Sequence, residues 1–125
     1  MGENTFVLKL SDGSDIMAGL HKLAEEKEIE YGLLVSGCGK IKEFELLSTG
    51  PQGSIDKMKS KEEFQVNAVS GKVQKTASGK FNTLVRVSIT KTGFTPKGGQ
   101  LIGGKAAGTL EIGVRKVDLK KIIEA

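Results

Sequence analysis

Few side chains in this sequence are equipped for chemistry, and their spacing argues against most of it. There is one histidine, His21, and one cysteine, Cys38. A zinc site of the His/Cys type takes three or four such ligands, so one chain cannot build it from these two. A serine–histidine–acid triad would have to run through His21, which falls on the flank of a helix with no partner in view. Cys38 lies between Gly37 and Gly39, with no histidine or acid nearby in sequence to lower its pKa, and reads as a small buried residue. Glu43 and Glu45 sit two apart on one strand face, a spacing open to acid–base work, but exposed Glu pairs are ordinary. The phosphate-binding pattern G-x-x-x-x-G-K-[ST], the zinc pattern H-E-x-x-H and the hydrolase pattern G-x-S-x-G are all missing. Gly93 and Gly98-Gly99 follow a strand, yet no helix opens after them, which excludes a dinucleotide fingerprint. No residue is assigned a catalytic role.

The elements that would position any site are easier to read. Thr5 to Leu10 is a strand with Phe6, Leu8 and Leu10 on one face. Ser14 or Asp15 caps a helix that runs to about Glu28, with Ile16, Met17, Leu20, Leu23 and Ala24 as its apolar stripe. Tyr31 to Val35 is a short strand, interrupted at Gly37-Cys38-Gly39 by a bulge or a close backbone approach. Ile41 to Leu47 resumes with Ile41, Glu43 and Glu45 opposed to Lys42, Phe44 and Leu46. Ser48 to Ser60 reads as a loop. Phe64 to Val73 and Leu84 to Thr90 are strands, the second with Val85, Val87 and Ile89 on one face. After a turn, the stretch through Gly98-Gly99 and Gly103-Gly104 is again extended. Ala107 to Val117 is a strand and Asp118 to Glu124 a short terminal helix. One main helix among many strands predicts an α+β fold around an antiparallel-rich mixed sheet, as one domain over residues 1–125.

Charge is unevenly distributed over the 125 residues. Residues 1–56 carry 5 Lys against 10 Asp and Glu, whereas residues 57–125 carry 14 Lys and Arg against 5 Asp and Glu. Such asymmetry fits a nucleic-acid face or two complementary halves. Complementarity is favoured, because the cations are spread over several elements and form no dense run. With one Tyr and no Trp, stacking on single-stranded nucleic acid has little to work with. No apolar run approaches the ~20 residues of a membrane span, and no signal pattern opens the chain. A lone cysteine and these absences give a cytoplasmic reading with no membrane partner.

In order and spacing the chain resembles the PPC (DUF296) domain family over nearly its whole length. The matching pieces are Phe6-Val7-Leu8-Lys9-Leu10 followed by Gly13, then Gly32 and Ser36-Gly37-x-Gly39. They continue with Glu63 to Gly71, Val87-Ser88-Ile89, Gly98-Gly99-Gln100-Leu101 and Thr109-Leu110-Glu111-Ile112. The resemblance implies a homotrimer. In plants the domain accompanies AT-hooks and drives self-association and partner binding, which suggests a nonspecific DNA or protein partner here, although this chain has no AT-hook. Many prokaryotic members look like metal binders, with a His-x-His pair on a strand and a third His after the double glycine. Those positions are Leu84, Arg86 and Gln100 here. Leu offers no donor atom, and Arg stays protonated and cannot accept, so neither a metal nor another cofactor is expected. Arg86 with Gln100 and the amides of Gly98 and Gly99 could instead hold a carboxylate or phosphate. The competing reading is a salt bridge from Arg86 to an acid of the same or a neighbouring subunit. Enzymatic activity ranks last, for want of a nucleophile, base or metal.

Overall fold

The computed structural model describes residues 4–91 and 95–124. Six strands and one α-helix follow one another as β1 (Thr5–Leu10), α1 (Ile16–Glu26), β2 (Tyr31–Thr49), β3 (Ile55–Ser60), β4 (Phe64–Lys75), β5 (Phe81–Thr90) and β6 (Lys97–Lys116). The strand order is β1-β6-β5-β4-β2-β3, and every pairing among the described residues is antiparallel. A further β6–β2 pairing joins β6, β5, β4 and β2 into a ring. This closure covers the inner strands and leaves β1 and β3 as the two ends of the sheet. The α+β class with one main helix and an antiparallel sheet is therefore as the sequence predicts.

Helix α1 starts where its cap predicts. The Asp15 carboxylate accepts a 2.9 Å hydrogen bond from the Ala18 amide, satisfying one of the free donors of the first turn. Ile16, Leu20 and Ala24 are buried against a core built from the inward faces of β2, β4, β5 and β6. On β5 that face is Val85, Val87 and Ile89, on β6 Leu101, Leu110, Ile112 and Val114.

Four readings change. First, β2 is one 19-residue strand from Tyr31 to Thr49. Register shifts at Leu34/Ser36, Gly39/Lys40 and Lys42/Glu45 bend it without ending it. Glu43 sits at one of these with φ 47, so the alternation slips: Ile41, Phe44 and Leu46 are all buried, and Ile41 does not oppose Phe44. Second, the expected loop from Ser48 to Ser60 holds the end of β2, a 3-10 turn at Pro51–Gly53 and the strand β3. Third, the terminal helix is a single 3-10 turn, Leu119–Lys121. Fourth, Cys38 is exposed, because its strand position faces away from the core. The turn expected around Gly93 lies outside the described residues.

One polar clasp ties the start of the chain to β6. The Gly108 amide donates to Asp12 Oδ1 at 2.8 Å, and Lys42 Nζ donates to the same oxygen at 2.9 Å. The Gly108 amide foremost, and then Lys42, hold the Asp12 carboxyl below its ordinary pKa, and Asp12 raises that of Lys42. A lowered carboxyl pKa contributes stability above the unfolded value, and that contribution is lost as pH falls through the folded one. The raised Lys42 contributes below its unfolded value and loses its share as pH rises through the folded one. Asp12→Ala should therefore lower the melting temperature at pH 7. The difference from the unsubstituted protein should close in acid, below about pH 4. Melting curves of both proteins from pH 2 to 8 check this; a gap that stays constant into acid would show that the carboxylate charge plays no part.

Candidate functional site

Cross-strand partners point to the same face of a sheet, so register alone places side chains together. Ser70 of β4 opposes Arg86 of β5, and Arg86 opposes Gln100 of β6. Gln100 also opposes Leu47 of β2, which in turn opposes Lys57 of β3. These five side chains form one row across the outer face, each step about 4.8 Å. Arg86 and Lys57 are its cations, separated by Gln100 and Leu47. The sequence expectation that Arg86 and Gln100 are neighbours is met by this register, at the place where the ring of strands closes.

Along this row runs a groove of about 390 Å³. Arg86, Gln100, Gly99, Leu47, Thr49 and Ile55 line it, and Ser48 completes it. Gly99 belongs here for a steric reason: a Cβ on it would stand 2.6 Å from the Leu47 carbonyl oxygen, and β6 could not lie so close to β2. Gly98 does not line the groove; it pairs with Ser88 one step along the strand. Leu84 shares the face of Arg86 but opposes Lys72, away from the groove.

Arg86 is exposed, and among the described residues it makes no ion pair. Among the described residues no carboxylate lines the groove, and the one charged group in its lining is the Arg86 guanidinium. Across the rest of the surface the acidic half does little to neutralise the basic half. Of the four ion pairs among the described residues, only Lys105–Glu43 (3.5 Å) joins a cation of residues 57–125 to a carboxylate of residues 1–56. Lys57 and Lys59 on β3 and Arg86 on β5 make no ion pair among the described residues, while Lys72 on β4 lies over the Tyr31 ring at 5.6 Å.

The other candidate side chains do not line this groove, although His21 and Gln100 border one smaller cavity of about 270 Å³. His21 Nε2 hydrogen-bonds Thr83 Oγ1 at 2.8 Å, and the ring stacks on Phe81 with centroids 5.8 Å apart. It borders a cavity of about 1000 Å³, where Glu25, Glu28 and Glu30 face Lys75 and Lys80. The sequence gives no sign of this cleft, because it forms between the end of α1 and the β4–β5 hairpin, some fifty residues apart. Glu43 and Glu45 border an apolar cleft of about 520 Å³ floored by Phe44 and Ile102. Glu43 is engaged by Lys105, and the bulge between the two glutamates removes their common phase. No group of three or more His, Cys, Asp and Glu side chains among the described residues is arranged to hold a metal ion.

Comparison with known proteins agrees with this architecture. Residues 1–118 match the Plants and Prokaryotes Conserved (PCC) domain. A plant- and prokaryote-conserved protein of Pyrococcus horikoshii superposes with a TM-score of 0.80 at 18% identity, over 94% of this chain and 81% of that one. A Bacteroides thetaiotaomicron protein, provisionally described as DNA-binding, gives 0.80 at 18% identity, over 94% and 82%. A metal-containing protein of Archaeoglobus fulgidus gives 0.76 at 22% identity, over 90% and 78%. Among functionally curated proteins, none matches the chain in sequence.

Proposed function

As this chain belongs to the Plants and Prokaryotes Conserved domain family, we propose that it is a cytoplasmic, homotrimeric self-association module whose basic surface meets an anionic partner such as DNA. The observation that carries the reading lies at the ends of the sheet. The β1 edge presents a large aliphatic side chain to solvent: Val7 is 62% exposed. An edge strand with unpaired backbone groups and an exposed aliphatic invites another chain. On the β3 edge Lys57 and Lys59 follow Ile55 on the same face, which discourages pairing there and leaves positive charge in place. Among the described residues no helix is long and apolar enough to cross a membrane.

The DNA arm of the reading draws on the description of the Bacteroides protein and on the sparsely neutralised cations. Three copies of a chain with formal charge +4 attract phosphate without reading sequence. Light scattering at micromolar concentration should give a mass near three subunits. Duplex DNA should be retarded at low salt and released steeply as salt rises, with little dependence on its sequence. A monomer by light scattering overturns the self-association reading. A trimer that leaves DNA free at low salt removes only the DNA arm.

A second reading has its own observation. The Arg86 groove holds a permanent cation and, among the described residues, no carboxylate, which suits a small anion. Gln100 and the backbone at Gly99 border the same space; Gly98 supports it from the adjoining strand position.

A further inference from the structure

We infer that the Arg86 groove takes an amphipathic carboxylate, with its headgroup at Arg86 and an aliphatic chain laid over Leu47 and Ile55. The inference rests on the small-anion reading above and adds the ligand's other end.

Two halves of the groove differ in chemistry. At one end are donors: the guanidinium of Arg86 and the amide of Gln100, its cross-strand partner. A planar guanidinium matches a carboxylate with two parallel hydrogen bonds, and an amide can serve one of its remaining lone pairs. At the other end stand Leu47, half-buried, and Ile55, largely exposed. Register puts both on the outer face with Arg86: Leu47 opposes Gln100, and Ile55 opposes Thr49, two residues further along β2. Ile55 belongs neither to the buried core cluster nor to the apolar side chains packed against it.

Anions without an aliphatic tail use only the first half. Phosphate or acetate at Arg86 leaves Leu47 and Ile55 wet, whereas an aliphatic tail covers them and gains from each methylene withdrawn from water. A volume of about 390 Å³ lies at the small end of organic-ligand clefts and is enough for a short fatty or branched-chain acid. The groove is open on one side, so each methylene should be about half covered. Among the described residues no acid lines the groove, so the ammonium of an amine-bearing zwitterion would gain no ion pair there.

The test is titration calorimetry of the full chain with inorganic phosphate, acetate, butyrate, hexanoate and octanoate at fixed ionic strength. Affinity should rise about twofold per methylene up to hexanoate, half the gain of complete burial. Arg86→Leu should weaken every carboxylate at least about tenfold, the loss expected of a charge-assisted pair. Ile55→Ser should flatten the length dependence and leave acetate unchanged. Gln100→Ala, at a half-exposed position, gives a second variant that weakens the headgroup alone. Binding that depends on Arg86 but not on chain length overturns the amphipathic ligand and leaves the anion reading standing. Binding that rises with chain length yet ignores Arg86→Leu places the acids elsewhere and overturns both. No heat with any of the five anions overturns both as well.

Discussion

Gly71→Ala should cost the protein more than about 3 kcal/mol, a large share of the roughly 5–15 kcal/mol that holds a domain of this size together. Gly71 has φ +131, a conformation that side-chain-bearing residues rarely adopt, and forcing one there costs about 1–3 kcal/mol before any contact is counted. The contact is worse. A Cβ on Gly71 would overlap the carbonyl oxygen of Leu84, a backbone atom of the neighbouring strand. β4 cannot yield, because at this point it is paired on both sides, to Leu34 of β2 and to Val85 of β5. Moving it away from β5 opens the ring of strands beside buried Val85. Gly79 provides the control: its φ is +86, but nothing lies within 4 Å of an added Cβ. Gly79→Ala should cost only about 1 kcal/mol. Urea denaturation of the two variants checks the pair, and a Gly71→Ala loss no larger than that of Gly79→Ala would mean that the ring closure is looser than the register implies.

What the sequence conceals here is mostly long-range pairing. The alternation of Val85, Val87 and Ile89 is unambiguous because the inner face of β5 is apolar without interruption, and all three are buried. The segment from Ile41 to Leu46 has the right composition but the wrong phase when counted by twos. A single left-handed residue, Glu43, inserts the extra step, and no glycine marks it. β3 is invisible for a different reason. It is an edge strand with Asp56, Lys57 and Lys59 in it, preceded by Gly50, Pro51 and Gly53, so composition and turn chemistry both read as loop. What makes it a strand is six residues of pairing to β2. The same logic explains the site. Arg86 beside Gln100 is legible through family resemblance. The wall opposite them is not, since Thr49 and Ile55 belong to the stretch read as loop. Cys38 is exposed although flanked by glycines and apolar residues, because bulges on either side of it set which face it takes.

Leu101→Ala should destabilise the fold by about 2–5 kcal/mol, the cost of removing a buried leucine and leaving a cavity. Leu101 is 2% exposed and lies on the inner face of β6, one residue past Gln100, which points out to the groove. It pairs in register with Leu46, also buried, and its methyl group packs at the Cα of Gly104 closely enough that a Cβ there would touch it at 3.6 Å. The surrounding strands are locked by the ring, so little collapse into the void is expected and the loss should fall toward the upper part of the range. Arg86→Leu, on the outer face one strand away, should behave oppositely. Arg86 is exposed and has no carboxylate partner among the described residues, so its replacement should shift stability by no more than about 0.5 kcal/mol. Urea midpoints and carboxylate titrations on both variants separate the two roles. Leu101→Ala should lower the midpoint and, at urea concentrations where it stays folded, retain anion binding; Arg86→Leu should keep the midpoint and lose binding. If Arg86→Leu instead costs about 3–5 kcal/mol, an acid has been orphaned by its removal. No such acid pairs with it among the described residues of one subunit, so the loss would place Arg86 in a contact between copies of the chain and make the groove part of the assembly.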